Sequence, residues 1–126
     1  MTLVVIPEEF SVCKVSDYTK ISPEALYTFT ARTDEERSLV CPTHRAPENC
    51  THRDDGWRAF RIRGELDFSL IGILARISAL LADNQIGIFA VSTYNTDYVF
   101  TKAENFARAL AVLAENGYEI EETVLS

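Results

Sequence analysis

Three short stretches of the sequence hold residue types that could do chemistry. The first is Asp67-Phe68-Ser69-Leu70-Ile71-Gly72. If a helix opens here, the N–H groups of Leu70, Ile71 and Gly72 face outward from its positive end, which favours an anion such as a carboxylate. Gly72 in a first helical turn costs about 1 kcal/mol relative to alanine. Close approach of a ligand would account for that cost, and so would tight packing on a sheet. The second stretch is Ser92-Thr93-Tyr94-Asn95-Thr96-Asp97. Asp97 offers an acceptor-only carboxylate to an ammonium or guanidinium, although a plain hairpin turn uses the same residue types. One stretch suits an anion and the other a cation, and a free amino acid carries both. The third stretch gathers Cys41, His44, Cys50 and His52. Thiolate and imidazole are the ligands zinc prefers. The Cys-x-His spacing gives little reach around one ion, so the expectation is a solvated loop and no metal.

These groups need elements to position them. Residues 57–63 (WRAFRIR) alternate apolar and polar, the period of a half-buried strand. Leu70, Ile73, Leu74, Ile77, Leu80 and Leu81 then form one apolar helical stripe, with Ser69 as its N-cap and a stop near Asp83-Asn84. Residues 86–93 (IGIFAVST) read as a strand, 95–97 as a turn and 98–100 as a second strand. Thr101-Lys102-Ala103-Glu104 has the form of a capping box. Phe106, Ala109, Leu110 and Leu113 make the inner stripe of a second helix, which Asn116-Gly117 ends. Residues 118–125 read as a last strand. The order β-α-β-β-α-β over 57–125 is the ferredoxin-like unit, with helices on one face of an antiparallel sheet. Its second strand lies at an edge and is apolar on both sides, so something must cover it: the first half of the chain, a second subunit, or both.

Residues 1–56 read as a degenerate copy. A strand at 10–15, a helix start at Ser22-Pro23-Glu24, and a hairpin of 27–32 with 38–41 follow the same order. Residues 41–55 read as a loop or short irregular helix. The fold class is therefore α+β, two ferredoxin-like units in tandem, divided as 1–56 and 57–126.

With 12 basic and 19 acidic residues, the net charge of −7 excludes nucleic acid or an anionic membrane as the main partner. The longest apolar stretch, 68–82, is broken by Arg76 and is too short to span a bilayer. The start MTLVVIPEEF lacks a basic n-region, and an odd set of three cysteines fits a reducing, cytoplasmic setting. No nucleophile elbow, P-loop, zinc-protease or dinucleotide motif is present, so no catalytic residue and no cofactor is expected.

The stretch LDFSLIGILARISALLADNQIGIFAVSTYNTDYVF resembles ACT domains, βαββαβ modules that sense small molecules. It is similar to the short bacterial two-ACT proteins, to the ACT domains of the CASTOR arginine sensors and to the regulatory domains of aspartate kinases. The marks are Phe68, Gly72-Ile73-Leu74 with Ile77-Ser78, and Ser92-Thr93-Tyr94 followed by Asp97. Residues 33–41 (TDEERSLVC) resemble the corresponding strand of a first unit.

The resemblance implies a regulatory, non-catalytic protein that binds an amino acid between ACT units and forms a homodimer or joins a partner protein. It carries ligand contacts onto Ser69, Leu70, Ile71, Gly72, Ser92, Thr93, Tyr94 and Asp97. Where the arginine sensor has acidic residues in the first loop, this chain has Ser69 and Leu70. A guanidinium there would be underpaired, which points to a smaller or less basic amino acid. A scaffold that keeps the fold without a ligand is the alternative, and a zinc module the more remote one.

Overall fold

The alternation in WRAFRIR builds the strand that anchors one half of the molecule. In the computed structural model, which describes residues 1–64 and 71–122, this strand is β5, Cys50–Ile62. Phe60 and Ile62 are fully buried on one side, while Arg61 between them is half-buried on the other. The chain divides into two units, Glu8–Trp57 and Met1–Pro7 with Arg58–Ser126.

The second of these has five strands among the described residues. β6 (Ile88–Ser92) pairs antiparallel with β7 (Asp97–Lys102), and β7 pairs with β5. β1 (Thr2–Val5) pairs antiparallel with β5 and parallel with β8 (Glu119–Glu122). The order is thus β6-β7-β5-β1-β8, with β1 inserted between the first and last strands of the βαββαβ pattern. Leu3 and Val5 point to the core, but the segment is only four residues long, too short for a clear period.

Two helices cover one face of this sheet. α1 (Ile73–Asp83) buries Ile77 and Leu81, and α2 (Ala103–Glu115) buries Phe106, Ala109, Val112 and Leu113. They close on Leu3, Phe60, Ile62 and Val99, all fully buried. Each such side chain contributes about 1.5–3 kcal/mol through burial.

Two helix starts differ from expectation. α1 begins at Ile73, because Gly72 sits just outside it at φ +86°, a left-handed conformation that cannot be helical. Ile71 therefore precedes the helix, and Ser69 and Leu70 lie outside the described residues. The expected capping box also does not form. Thr101 is fully buried within β7, its hydroxyl donates to the Lys102 carbonyl at 3.1 Å, and Lys102 precedes α2 without a side-chain cap. The helix ends do agree: Asn84 and Asn116 follow the last helical residues, and Gly117 takes φ +96°.

The other unit stacks β2 (Phe10–Val15), β3 (Phe29–Arg32), β4 (Arg37–Pro42) and the first part of β5 in the order β3-β4-β2-β5, all antiparallel. Residues 50–55 belong to the strand although they read as loop. They are polar and mostly exposed, so no apolar alternation marks them. The helix expected after Ser22 is absent. Turns occupy 22–27, and Leu26 is 73% exposed. A start signal without an apolar stripe to pack does not sustain a helix.

Side-chain hydrogen bonds hold this segment instead. The Tyr18 hydroxyl donates to the carbonyls of Ser38 at 3.0 Å and Ala31 at 3.2 Å. The Asn49 amide donates to Ser16 Oγ at 3.2 Å and the Asp17 carbonyl at 3.1 Å. A small core of Cys13, Val15, Leu39 and Cys41 lies beneath, bordered by Tyr18, Ile21 and Cys50.

Candidate functional site

The hairpin between β6 and β7 is built from its threonines. The Thr93 N–H donates to the Thr96 carbonyl at 2.8 Å, and the Thr93 hydroxyl donates to the same carbonyl at 3.0 Å. Thr96 is 5% exposed and its hydroxyl donates to the Ile62 carbonyl at 2.7 Å. The turn is thereby fastened to the end of β5, and Tyr94 at its tip is 77% exposed.

Strand alternation splits the expected ligand residues between two faces. Ser92 stands opposite Asp97 and Ala90 opposite Val99, and Val99 packs in the helix-covered core. Ser92 and Asp97 thus share the helix side, where the Ser92 hydroxyl donates to Asp97 Oδ1 at 2.6 Å. α1 lies on that side too, entered through the exposed Ile71 and the left-handed Gly72.

Thr93 faces the other way. It lines an open cleft of about 480 Å³ with Arg61, Arg63, Gly64, Asn95, Thr96 and Tyr98. The two arginines were legible in the sequence as the polar positions of WRAFRIR, but nothing there linked them to the turn.

The cysteine and histidine residues do not converge. His44 Nε2 meets Glu8 Oε2 at 3.0 Å, and His52 Nδ1 meets the Thr51 hydroxyl at 3.1 Å. Among the described residues, no group of three or more His, Cys, Asp and Glu stands where it could hold a metal ion. Burial, with a hydrogen bond to Cys50, pushes the Cys13 thiol up to about 12, and burial pushes Cys41 up to about 11. Both are neutral thiols at physiological pH, ill suited to nucleophilic attack. Among the described residues, no helix is long and apolar enough to cross a membrane.

A five-stranded sheet with helices on one face, a glycine at the entry to the first helix and a polar turn at the sheet's end define a βαββαβ domain. The ACT-domain family model matches residues 52–115, and the chain belongs to that family.

Among solved structures, a protein of Agobacterium tumefaciens is similar at 25% identity and a TM-score of 0.83, over 98% of this chain and 94% of that one. The regulatory subunit of aspartate kinase from Thermus thermophilus, in its ligand-free form, is similar at 11% identity and a TM-score of 0.61. That match covers 90% of this chain and 95% of the subunit. Aspartate kinase of Clostridium acetobutylicum, an allosteric enzyme, is similar at 12% identity and a TM-score of 0.63, over 86% of this chain and 32% of the kinase. No curated protein matches the chain.

Proposed function

We propose that this chain is a regulatory, non-catalytic protein of the ACT type that binds a small molecule, in the first instance an amino acid. The observation that carries the reading is the family match over residues 52–115, which spans Gly72, α1 and the β6–β7 turn together. The fold it shares with a regulatory subunit of aspartate kinase adds to it.

The proposed ligand-binding set is Ser69, Leu70, Ile71, Gly72, Ser92, Thr93, Tyr94 and Asp97, centred on the helix side of the β6–β7 hairpin where Ser92 and Asp97 stand, with Thr93 on the other face of the turn. The exposed backbone around Gly72 and the first free N–H groups of α1 receive the ligand carboxylate. Asp97 keeps lone pairs beyond its bond from Ser92 and receives the ammonium. Occupancy favours one of two arrangements of the protein through unequal affinity for them. The strand order β3-β4-β2-β5 repeats that of β6-β7-β5-β8 once β1 is set aside. This supports a tandem in which residues 8–57 are an ACT unit without its helices. Three free cysteines fit a cytoplasmic setting.

Calorimetric titration with each of the twenty amino acids tests the reading, with Asp97→Ala as control. Binding that the substitution weakens supports the site. Silence across the set removes the ligand claim, and an unaffected variant removes Asp97.

A second reading has its own observation. Among the described residues β6 pairs with β7 alone, and it carries the half-buried Ile88, Phe89 and Val91. An edge of that kind suits a homodimer or a partner protein. Light scattering of the purified chain, and of a variant with Ala90→Pro on that edge, distinguishes this role.

A further inference from the structure

We propose that the cleft on the helix-free side of the same hairpin is a second binding site, for a small oxyanion ligand, with Arg61 and Arg63 as its recognition residues. Arg61 lies on β5 and Arg63 directly follows its last residue, the fully buried Ile62, and both line the cleft on the side away from the helices. None of the described residues lining the cleft is acidic, in a chain that carries 19 acidic and 12 basic side chains. The local charge is opposite in sign to that of the chain.

Arg63 is anchored by Glu121, Nη1 to Oε2 at 2.9 Å, which occupies one edge of its fork. Among the described residues Arg61 makes no ion pair. A planar fork of N–H donors with no carboxylate partner fits a carboxylate or phosphate group in two-point contact.

The walls are rigid before any ligand arrives. Thr93 and Thr96 both spend their hydroxyl protons inside the turn and on the Ile62 carbonyl. The turn is thus held at the end of β5, which carries Arg61 and leads directly into Arg63. Asn95, exposed on the turn, supplies amide donors at the rim, and Tyr98 closes the side. A cleft of about 480 Å³ takes a ligand the size of a dicarboxylate or a small phosphate ester. The site needs neither Asp97 nor Gly72, which belong to the other face.

The test is a calorimetric titration with succinate, L-aspartate, L-glutamate and inorganic phosphate, and with L-lysine and L-arginine as cationic controls. At least one of the anions binds, the cations do not enter this site, and the affinity falls as salt is raised. Succinate or acidic amino acids binding better than phosphate identifies a carboxylate ligand, and the reverse order a phosphate. Arg61→Gln loses roughly tenfold or more in affinity, and Arg61→Lys, which keeps charge without the fork, falls between. Succinate and phosphate carry no ammonium group for Asp97, so their binding reports this cleft alone. Circular dichroism confirms that the variants are folded, and Asn95→Ala gives a second, milder loss if Arg61→Gln is not.

Succinate or phosphate binding that survives Arg61→Gln overturns the proposal. So does silence of all four anions. If neutral or basic amino acids still bind and respond to Asp97→Ala, only this inference has failed. If nothing binds at all, the amino-acid reading falls with it.

Discussion

The two units of this chain order their strands alike and cover them differently. One lays α1 and α2 over its sheet and buries Phe60, Ile77, Leu81, Phe106 and Leu113 beneath them. The other has no α-helix among the described residues, and it closes over a core of Cys13, Val15, Leu39 and Cys41 with hydrogen bonds from Tyr18 and Asn49. Both keep the same turn. The N–H of Thr33 donates to the Glu36 carbonyl at 2.9 Å, as that of Thr93 does to Thr96 at 2.8 Å. The difference teaches that one strand order and one turn chemistry can stand with or without apolar helix faces, provided polar side chains do the fastening where helices are absent.

Core truncation tests this contrast most strongly. Leu81→Ala or Leu113→Ala lowers stability by about 2–5 kcal/mol in urea unfolding. Leu39→Ala sits at the low end of that span, because half-buried neighbours can collapse into the space. Equal losses would break the comparison. Thr96→Val costs about 1–3 kcal/mol, since the Ile62 carbonyl loses a buried donor. Gly72→Ala costs about 1–2 kcal/mol through its left-handed backbone, and Gly72→Asn less.

Acid separates the units by direction. Hydrogen bonds from the Thr19 hydroxyl and N–H hold Asp17 below the usual carboxylate range, and those from Arg53 and Ser11 do the same for Asp55. The unfolded chain therefore takes up these protons first as pH falls. The stabilisation is complete above the ordinary value of about 4 and is lost as pH drops through the lower folded values. Hydrogen exchange at pH 3 against pH 6 should show β2 and β4 losing protection ahead of α1 and α2. The smallest effect is kinetic. Cys13 and Cys41, buried and with raised thiol pKa, alkylate slowly with iodoacetamide at pH 8, and denaturation releases both.

The helices and paired strands of residues 57–122 were legible in the sequence because each has an apolar face with a clear period. Leu74, Ile77 and Leu81 mark α1, and the alternation about Phe60 marks β5. The elements missed have weak periods or none. β1 is four residues long, and residues 50–55 form a strand from CTHRDD, with no apolar side to reveal it. Both misplaced helix starts followed local signals that another constraint overrode: a left-handed backbone at Gly72 and burial in the sheet at Thr101. The composition of the β6–β7 turn was visible, but its division between two faces follows from register, which only pairing fixes. Arg61 and Arg63 were read as solvent positions, since a sequence does not say which turn lies beside them.

β1 has a consequence for how the chain is made. Thr2–Val5 is synthesised well before its neighbours, Phe60 to Ile62 and Glu119 to Glu122. Pairings that far apart along the chain slow folding. During translation an apolar segment must wait, unshielded, until β8 emerges to flank it, a window in which nascent chains on one message could pair with each other or be taken up by a chaperone.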